Sequence, residues 1–241
     1  MKTPLFAALG ALLFAVGGIH ADPSAEKPSL PPGPPVMTQM PDFAQWTVDY
    51  SYADGADPAS SSPQAGLTEG NAMGLSVGPI VADMRLVRVV YTKTGTVRHE
   101  EWSFDKGSRE VWAMGDVIVR RGPESSALVP NNDAGLEGNV FPELDWLSKE
   151  TFTGTQTKDG VQYLVFKKNW YNDDRSFVGT SIACIDPDTR YPASFQFGNQ
   201  TRRYTIQAPP TVPLAVPPDF AAAGTAMTEQ IQKATPHLAP P

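Results

Sequence analysis

The sequence predicts a mainly β (α+β) fold, an antiparallel meander curved into a half-barrel with one or two helices against its concave face. Three observations predict it. Residues 181–206, SIACIDPDTRYPASFQFGNQTRRYTI, read as three consecutive strands separated by an Asp-Pro-Asp-Thr turn and a Gly-Asn turn. Residues 84–121 carry four further strand patterns joined by tight turns, and tight turns connect only antiparallel neighbours, because parallel strands need long crossovers. In residues 45–52, Trp46, Val48, Tyr50 and Tyr52 alternate with Thr47, Asp49 and Ser51, the pattern of a strand with one buried face.

Taken in order, the chain opens with Lys2, an apolar run over 4–18 and a small residue at Ala21, which reads as a secretory signal peptide spanning 1–21. The run is shorter than the roughly 20 apolar residues of a spanning helix, and the region holds no cysteine for lipoprotein processing. Export to the periplasm or the outside follows as an expectation, as does a mature chain that is not an integral membrane protein. Residues 22–41 contain seven prolines and no apolar periodicity, which predicts a linker or spacer.

The β domain is expected over 42–220. After the first strand, residues 53–78 are rich in Gly, Ser, Ala and Asp and read as a long loop. Strands then fall at 84–92, 97–104, 109–114 and 117–121, with Gly95 and Gly107 in the turns between them. Residues 141–149, FPELDWLSK, are the internal helix candidate: Pro142 fits a first turn and Glu143 and Asp145 suit a helix N-terminus. Strands resume at 151–157 and 161–168 around a Lys158-Asp159-Gly160 turn. The tail 221–241 follows a proline-rich stretch, and residues 219–233 form a short helix pattern with Phe220, Met227 and Ile231 on one side.

Chemistry is sparse. The net charge of −7 argues against nucleic acid, which is bound through basic surface, and against anionic lipid heads as an adhesion target. A single cysteine, Cys184, sits within a strand pattern and reads as a packed thiol, so no internal disulfide holds the domain. Of three histidines, His20 lies in the signal peptide and His237 in the tail, leaving His99 in Arg98-His99-Glu100-Glu101. On a strand His99 shares a face with Glu101, and Glu100 shares the other with Arg98 and Trp102, a charged-face reading rather than a catalytic one. The histidine and cysteine count leaves no ordinary zinc site. The pairs Glu100/Glu101, Asp173/Asp174 and Asp186/Asp188 are the carboxylates to weigh for glycoside hydrolysis, yet the first straddles a strand and the others sit in turn sequences. Asn199-Gln200-Thr201 fits a glycosylation acceptor pattern and also an ordinary turn asparagine. No catalytic residue, metal ligand or cofactor is assigned.

Aromatic residues are what remains. Trp46, Val48, Tyr50, Trp102, Trp112, Phe195 and Phe197 are the candidate lining of a ligand cavity, with core packing as the reading to beat for each of them. One short helix and a tail helix are little cover for so wide a sheet, and a curved sheet left partly uncovered is where apolar ligands bind.

Residues 183–192, ACIDPDTRYP, with Phe195, Phe197, Arg203 and Ile206 and the tail VPLAVPP at 212–218, make the chain similar to the LolA/LolB lipoprotein-carrier superfamily. That resemblance implies an unclosed β-barrel wrapped around helices, a lipid or acylated protein as partner, and no catalysis. Three functions therefore stand: an exported non-enzymatic protein holding a lipid or other apolar moiety, a structural or interaction domain of the cell envelope without a cavity, and a hydrolase using acidic residues.

Overall fold

The computed structural model describes residues 28–53, 84–122, 127–132 and 139–234. The expected signal peptide, the start of the proline-rich stretch and nearly all of the 53–78 loop lie outside these residues.

Strands β1 (Phe43–Tyr52), β2 (Leu86–Thr94), β3 (Val97–Phe104), β4 (Gly107–Met114), β5 (Val117–Arg121), β6 (Leu128–Asn132), β7 (Phe152–Lys158), β8 (Val161–Tyr171), β9 (Phe177–Ile185), β10 (Pro192–Phe197) and β11 (Gln200–Gln207) join in one sheet, followed by helix α1 (Pro218–Ala234). The spatial order is β6-β5-β4-β3-β2-β1-β11-β10-β9-β8-β7. The chain starts at the centre, runs outward to β6, crosses to the far edge at β7 and meanders back until β11 pairs antiparallel with β1. The edges β6 and β7 do not pair with each other, so the sheet stays open. The expected antiparallel meander is the observed architecture.

The hairpin turns explain the close spacing. At the β7–β8 turn both Asp159 (φ 53°) and Gly160 (φ 79°) are left-handed, the conformation that matches strand twist across a two-residue loop. In the β9–β10 connection the Asp186 carboxylate accepts the Asp188 and Thr189 N–H groups at 2.9 and 2.8 Å. Partial burial opposes the Asp186 charge, but these bonds outweigh it and hold the carboxyl below its ordinary pKa.

Cross-strand register defines two faces. Trp46 lies opposite Tyr91, Tyr91 opposite Glu100, Glu100 opposite Val111 and Val111 opposite Arg120, so these share one face. Gln45, Thr92, His99, Trp112 and Val119 are linked in the same way on the other. The Trp46 face of β1 and β8–β11 carries the largest core, with Trp46, Phe152, Phe166, Ile185 and Phe195 buried. It is closed by residues 28–42 and by the crossover segment around Phe141, Leu144 and Leu147. Helix α1 packs instead on the Trp112 face, where Phe220 is buried against Trp112, Val117 and Val119. The tail helix expected over 219–233 thus forms, with Met227 and Ile231 against the sheet as its periodicity predicts.

Two expectations differ from the structure. The candidate helix over 141–149 is only a single 3-10 turn, Pro142–Leu144. Leu144 donates to Phe141, Asp145 to Pro142 and Leu147 to Leu144, bonds with a three-residue period. That period aligns Phe141, Leu144 and Leu147 toward the sheet, which an α-helical turn would spread by a larger angle. The second difference is the proline-rich stretch, whose described residues dock on the domain: Val36 and Met40 are buried in the main core. Arg190, itself left-handed at φ 62°, fastens it, donating from Nη2 to the Pro32 carbonyl at 2.8 Å while its own carbonyl accepts the Met37 N–H at 2.9 Å. Prolines offer acceptors and no donors, so an arginine beside the segment supplies what the segment lacks.

Candidate ligand-binding face

The Trp46 face is built from alternate residues of every strand, and residues 140–147, ahead of β7, pack over it. Of the seven residues singled out from sequence, Trp46, Val48, Tyr50, Trp102, Phe195 and Phe197 lie on this face. Trp112 does not: it pairs with His99 on the opposite face and contacts Phe220 of α1, with ring centroids 6.2 Å apart. The reason is register. A two-residue turn between β3 and β4 pairs Phe104 with Gly107, so even-numbered residues of β3 lie opposite odd-numbered residues of β4. Trp102 and Trp112, both even, must then point to opposite sides.

In the β1/β8–β11 part the face is filled. Trp46 stacks on Tyr91 at 4.8 Å, and Phe141 meets Tyr204 edge-on at 5.6 Å. A polar group lies among these rings. Glu143, carried in by the 3-10 turn, accepts Arg202 Nη1 at 3.0 Å and the Tyr204 hydroxyl at 2.5 Å on the same carboxylate oxygen. The Arg202 guanidinium lies 5.3 Å from the Tyr50 ring centre and 5.5 Å from that of Phe195. Burial works against the Arg202 charge, but Tyr50, Glu143 and Tyr204 outweigh it and hold the pKa above the usual arginine value. Burial likewise pushes Tyr50 up to about 12, against an opposing pull from Arg202, and raises Tyr204 and Tyr91 as well. This group is a structural clamp: every charge in it is matched.

In the β3–β5 part the same face has another composition. Val111, Ala113 and Ile118 form a buried apolar cluster with Trp102 packed against it. Its described members come from three strands alone, and neither residues 28–42, the crossover turn nor α1 contributes to it. Val129 on the edge strand β6 lies opposite Arg120 on this face and is 60% exposed, while Trp102 and Phe104 are half-buried. Glu100 is buried here, its carboxylate oxygens taking Arg98 Nε and Trp102 Nε1, each at 2.8 Å. The sequence pattern placed these three together on a solvated face. The pairing holds, and because both oxygens are satisfied the carboxylate tolerates burial.

The remaining candidates are settled locally. His99 stacks on Trp112 at 4.3 Å, and its ring nitrogens lie 3.6 Å from Glu101 and 3.3 Å from Glu110, a structural setting on the helix-covered face. Asp174 accepts the Ser176 N–H at 2.8 Å within the β8–β9 turn. Among the described residues no group of three or more His, Cys, Asp or Glu is arranged to hold a metal ion, and no helix is long and apolar enough to cross a membrane. Sequence reasoning missed Glu143, Arg202, Tyr204 and Arg190. Arg202 alone left a signal, in its two-residue spacing from Tyr204 on one strand face.

No family model and no curated protein matches the chain. Among solved structures it is similar to the lipoprotein LppX of Mycobacterium tuberculosis, at 10% identity and a TM-score of 0.38, over 73% of this chain and 90% of that one. It is also similar to LprF from Mycobacterium bovis, at 8% identity and a TM-score of 0.34, over 73% of this chain and 89% of that one. Identities this low carry no residue from either protein to this chain.

Proposed function

We propose that this chain is an exported, non-enzymatic binding module that holds a lipid or other apolar moiety on the Trp46 face of its open sheet, in the manner of the LolA/LolB-type lipoprotein carriers. One observation carries the reading. On the Trp46 face of the β3–β6 arm, beside the buried cluster of Val111, Ala113 and Ile118, Val129 is 60% exposed on the edge strand β6 and Trp102 and Phe104 are half-buried. Apolar surface reaching an open sheet edge is where an acyl chain gains most by leaving water. Trp46, Val48, Tyr50, Phe195 and Phe197 serve this reading as the floor that sets the curvature beside the site, and Trp102 as the residue that touches ligand. Catalysis has little support on this face, since Glu100 and Glu143 are each held by an arginine.

Mass spectrometry of an organic extract of the purified protein, together with Trp fluorescence titrated with decyl maltoside below its micelle concentration, tests the proposal. A co-purifying acyl compound or a saturable fluorescence change is the expected result. An extract matching the buffer blank and a flat titration overturn it. A second reading, a packed envelope scaffold without a ligand, draws support from the filled core around the Glu143–Arg202–Tyr204 clamp, and the flat titration would favour it.

A further inference from the structure

We propose that the tip of the β8–β9 hairpin is a docking element that seats in the headgroup layer of a zwitterionic phospholipid bilayer. No residue of the ligand-binding face enters this inference. β7 pairs with β8 only as far as Phe166, and β10 pairs with β9 only as far as Ser181. The β8–β9 ladder runs on to Tyr171 opposite Phe177, so among the described residues its outer end is a two-stranded ribbon. A ribbon without a third strand has no core in which to bury apolar side chains. Yet Tyr171 and Phe177 are 59% and 61% exposed and meet edge-on at 5.9 Å, and Val178 beside them is exposed as well. The turn holds these rings in place. The Asn172 N–H donates to the Ser176 carbonyl at 2.9 Å, the Arg175 N–H to the Asn172 carbonyl at 2.8 Å, and the Ser176 N–H to Asp174.

Two features select a bilayer surface over a partner protein. Aromatic side chains stand on both faces of the ribbon: Trp170 shares one with Lys168, and Tyr171, next along the strand, takes the other. A protein partner covers one face, whereas a headgroup layer surrounds the tip. Trp and Tyr settle at that level of a bilayer, their rings against apolar matter and their polar ends in water. The second feature is charge. Lys167, Lys168 and Arg175 stand with Asp173 and Asp174, three cations and two carboxylates. Among the described residues none of the five is in an ion pair. A zwitterionic headgroup offers phosphate to the first set and ammonium to the second. Lys168 Nζ lies 3.9 Å from the Trp170 ring centre, and its apolar stem lets the ammonium reach phosphate level while the indole stays lower. The Ser176 bonds keep the Asp174 carboxyl below its ordinary pKa, and charged carboxylates at the apex are too costly in hydrocarbon for the tip to go deeper.

Co-sedimentation of the intact chain with phosphatidylcholine vesicles, with Trp emission followed alongside, tests this. The expected result is saturable retention with a blue shift, and no gain when phosphatidylglycerol is added. Tyr171→Ser combined with Phe177→Ser should weaken retention roughly tenfold, the scale of withdrawing two aromatic rings from an interface, with an unchanged urea midpoint. Val212→Ser, at an exposed apolar side chain outside the ribbon, should leave retention alone. No retention of wild type, or equal retention of the double variant, overturns the proposal. Retention that requires phosphatidylglycerol overturns it too, because the tip would then answer to anionic lipid. Dimerisation in the absence of vesicles, abolished by the same double variant, overturns it in favour of a second copy of the chain as occupant. This proposal and the binding reading fail separately, because vesicle retention reports the ribbon and the decyl maltoside titration reports the Trp46 face.

Discussion

The two arms of the sheet bury opposite faces. From β1 through β8 the Trp46 face is closed by residues 28–42 and the crossover turn, and the reverse face carries half-buried or exposed residues such as Cys184, Gln196 and Arg203. From β3 through β6 helix α1 closes the Trp112 face, and among the described residues the Trp46 side carries the buried strand cluster of Val111, Ala113 and Ile118. One continuous sheet thus supports two differently stabilised halves. The arm with its concentrated aromatic core closes on the Trp46 face, and the other arm takes its helical cover on the opposite face.

The largest effect should come from the scaffold core. Phe166→Ala, on a ring that is fully buried and 5.4 Å from Phe152, should cost about 3–5 kcal/mol in urea unfolding. Phe220→Ala should cost about 3 kcal/mol but act on the other arm, detaching α1. Hydrogen exchange would then rise in β4–β6 and stay slow in β8–β10. Equal acceleration in both would break the comparison and make the sheet one cooperative unit.

Ion pairs should separate the arms next. Glu143→Gln leaves Arg202 buried without its charge partner and should cost about 2 kcal/mol. Arg121→Gln removes the more exposed pair with Asp219 at the start of α1 and should cost less than about 1 kcal/mol. Similar losses for the two would show that the clamp is no more structural than a surface contact.

Alkaline titration gives a smaller handle. Tyr50 is raised to about 12 in the folded protein, from an ordinary value of 10.0, by burial foremost. The unfolded chain therefore loses its proton first. The stabilisation is whole below pH 10 and is lost as pH rises toward 12, by at most roughly 1.4 kcal/mol per pH unit for each such tyrosine. Tyr50→Phe should flatten that loss in denaturant midpoints taken across the range, and an unchanged slope would remove Tyr50 from the account. The smallest effect is expected at Gly224 in α1, where an added Cβ would meet the Met114 methyl at 2.7 Å. That methyl ends a flexible side chain and can move, while alanine favours the helix by about 1 kcal/mol. Gly224→Ala should therefore change stability by less than about 1 kcal/mol. A larger loss would mean that α1 sits on the sheet more rigidly than its contacts suggest.

Much of the fold was legible because a strand writes its face into a period of two. Trp46, Val48 and Tyr50 on one side of β1, and Phe195 with Phe197 on one side of β10, could be read directly. So could the shared side of Arg98, Glu100 and Trp102. The site was less legible. That Trp112 faces away from Trp102 was implicit in the two-residue turn at Asp105-Lys106, and register arithmetic across that turn would have found it. That Glu100 is buried was not implicit, because its burial depends on where the Arg98 and Trp102 side chains end. The 141–149 segment misled because its composition suits an α-helix, whereas its apolar residues recur every third position, as the 3-10 turn requires.

The sequence by itself determined the antiparallel meander, the hairpin turns and the alternating faces, since these follow from backbone geometry and spacing within a few residues. Only the tertiary structure decided which long segment covers which face. Docking of the proline-rich stretch through Arg190, delivery of Glu143 to Arg202 and Tyr204, and seating of α1 on Trp112 join residues far apart in the chain, with Arg190 and Pro32 separated by 158 positions. Such contacts are selected by the whole sheet's order and openness, which no local pattern encodes.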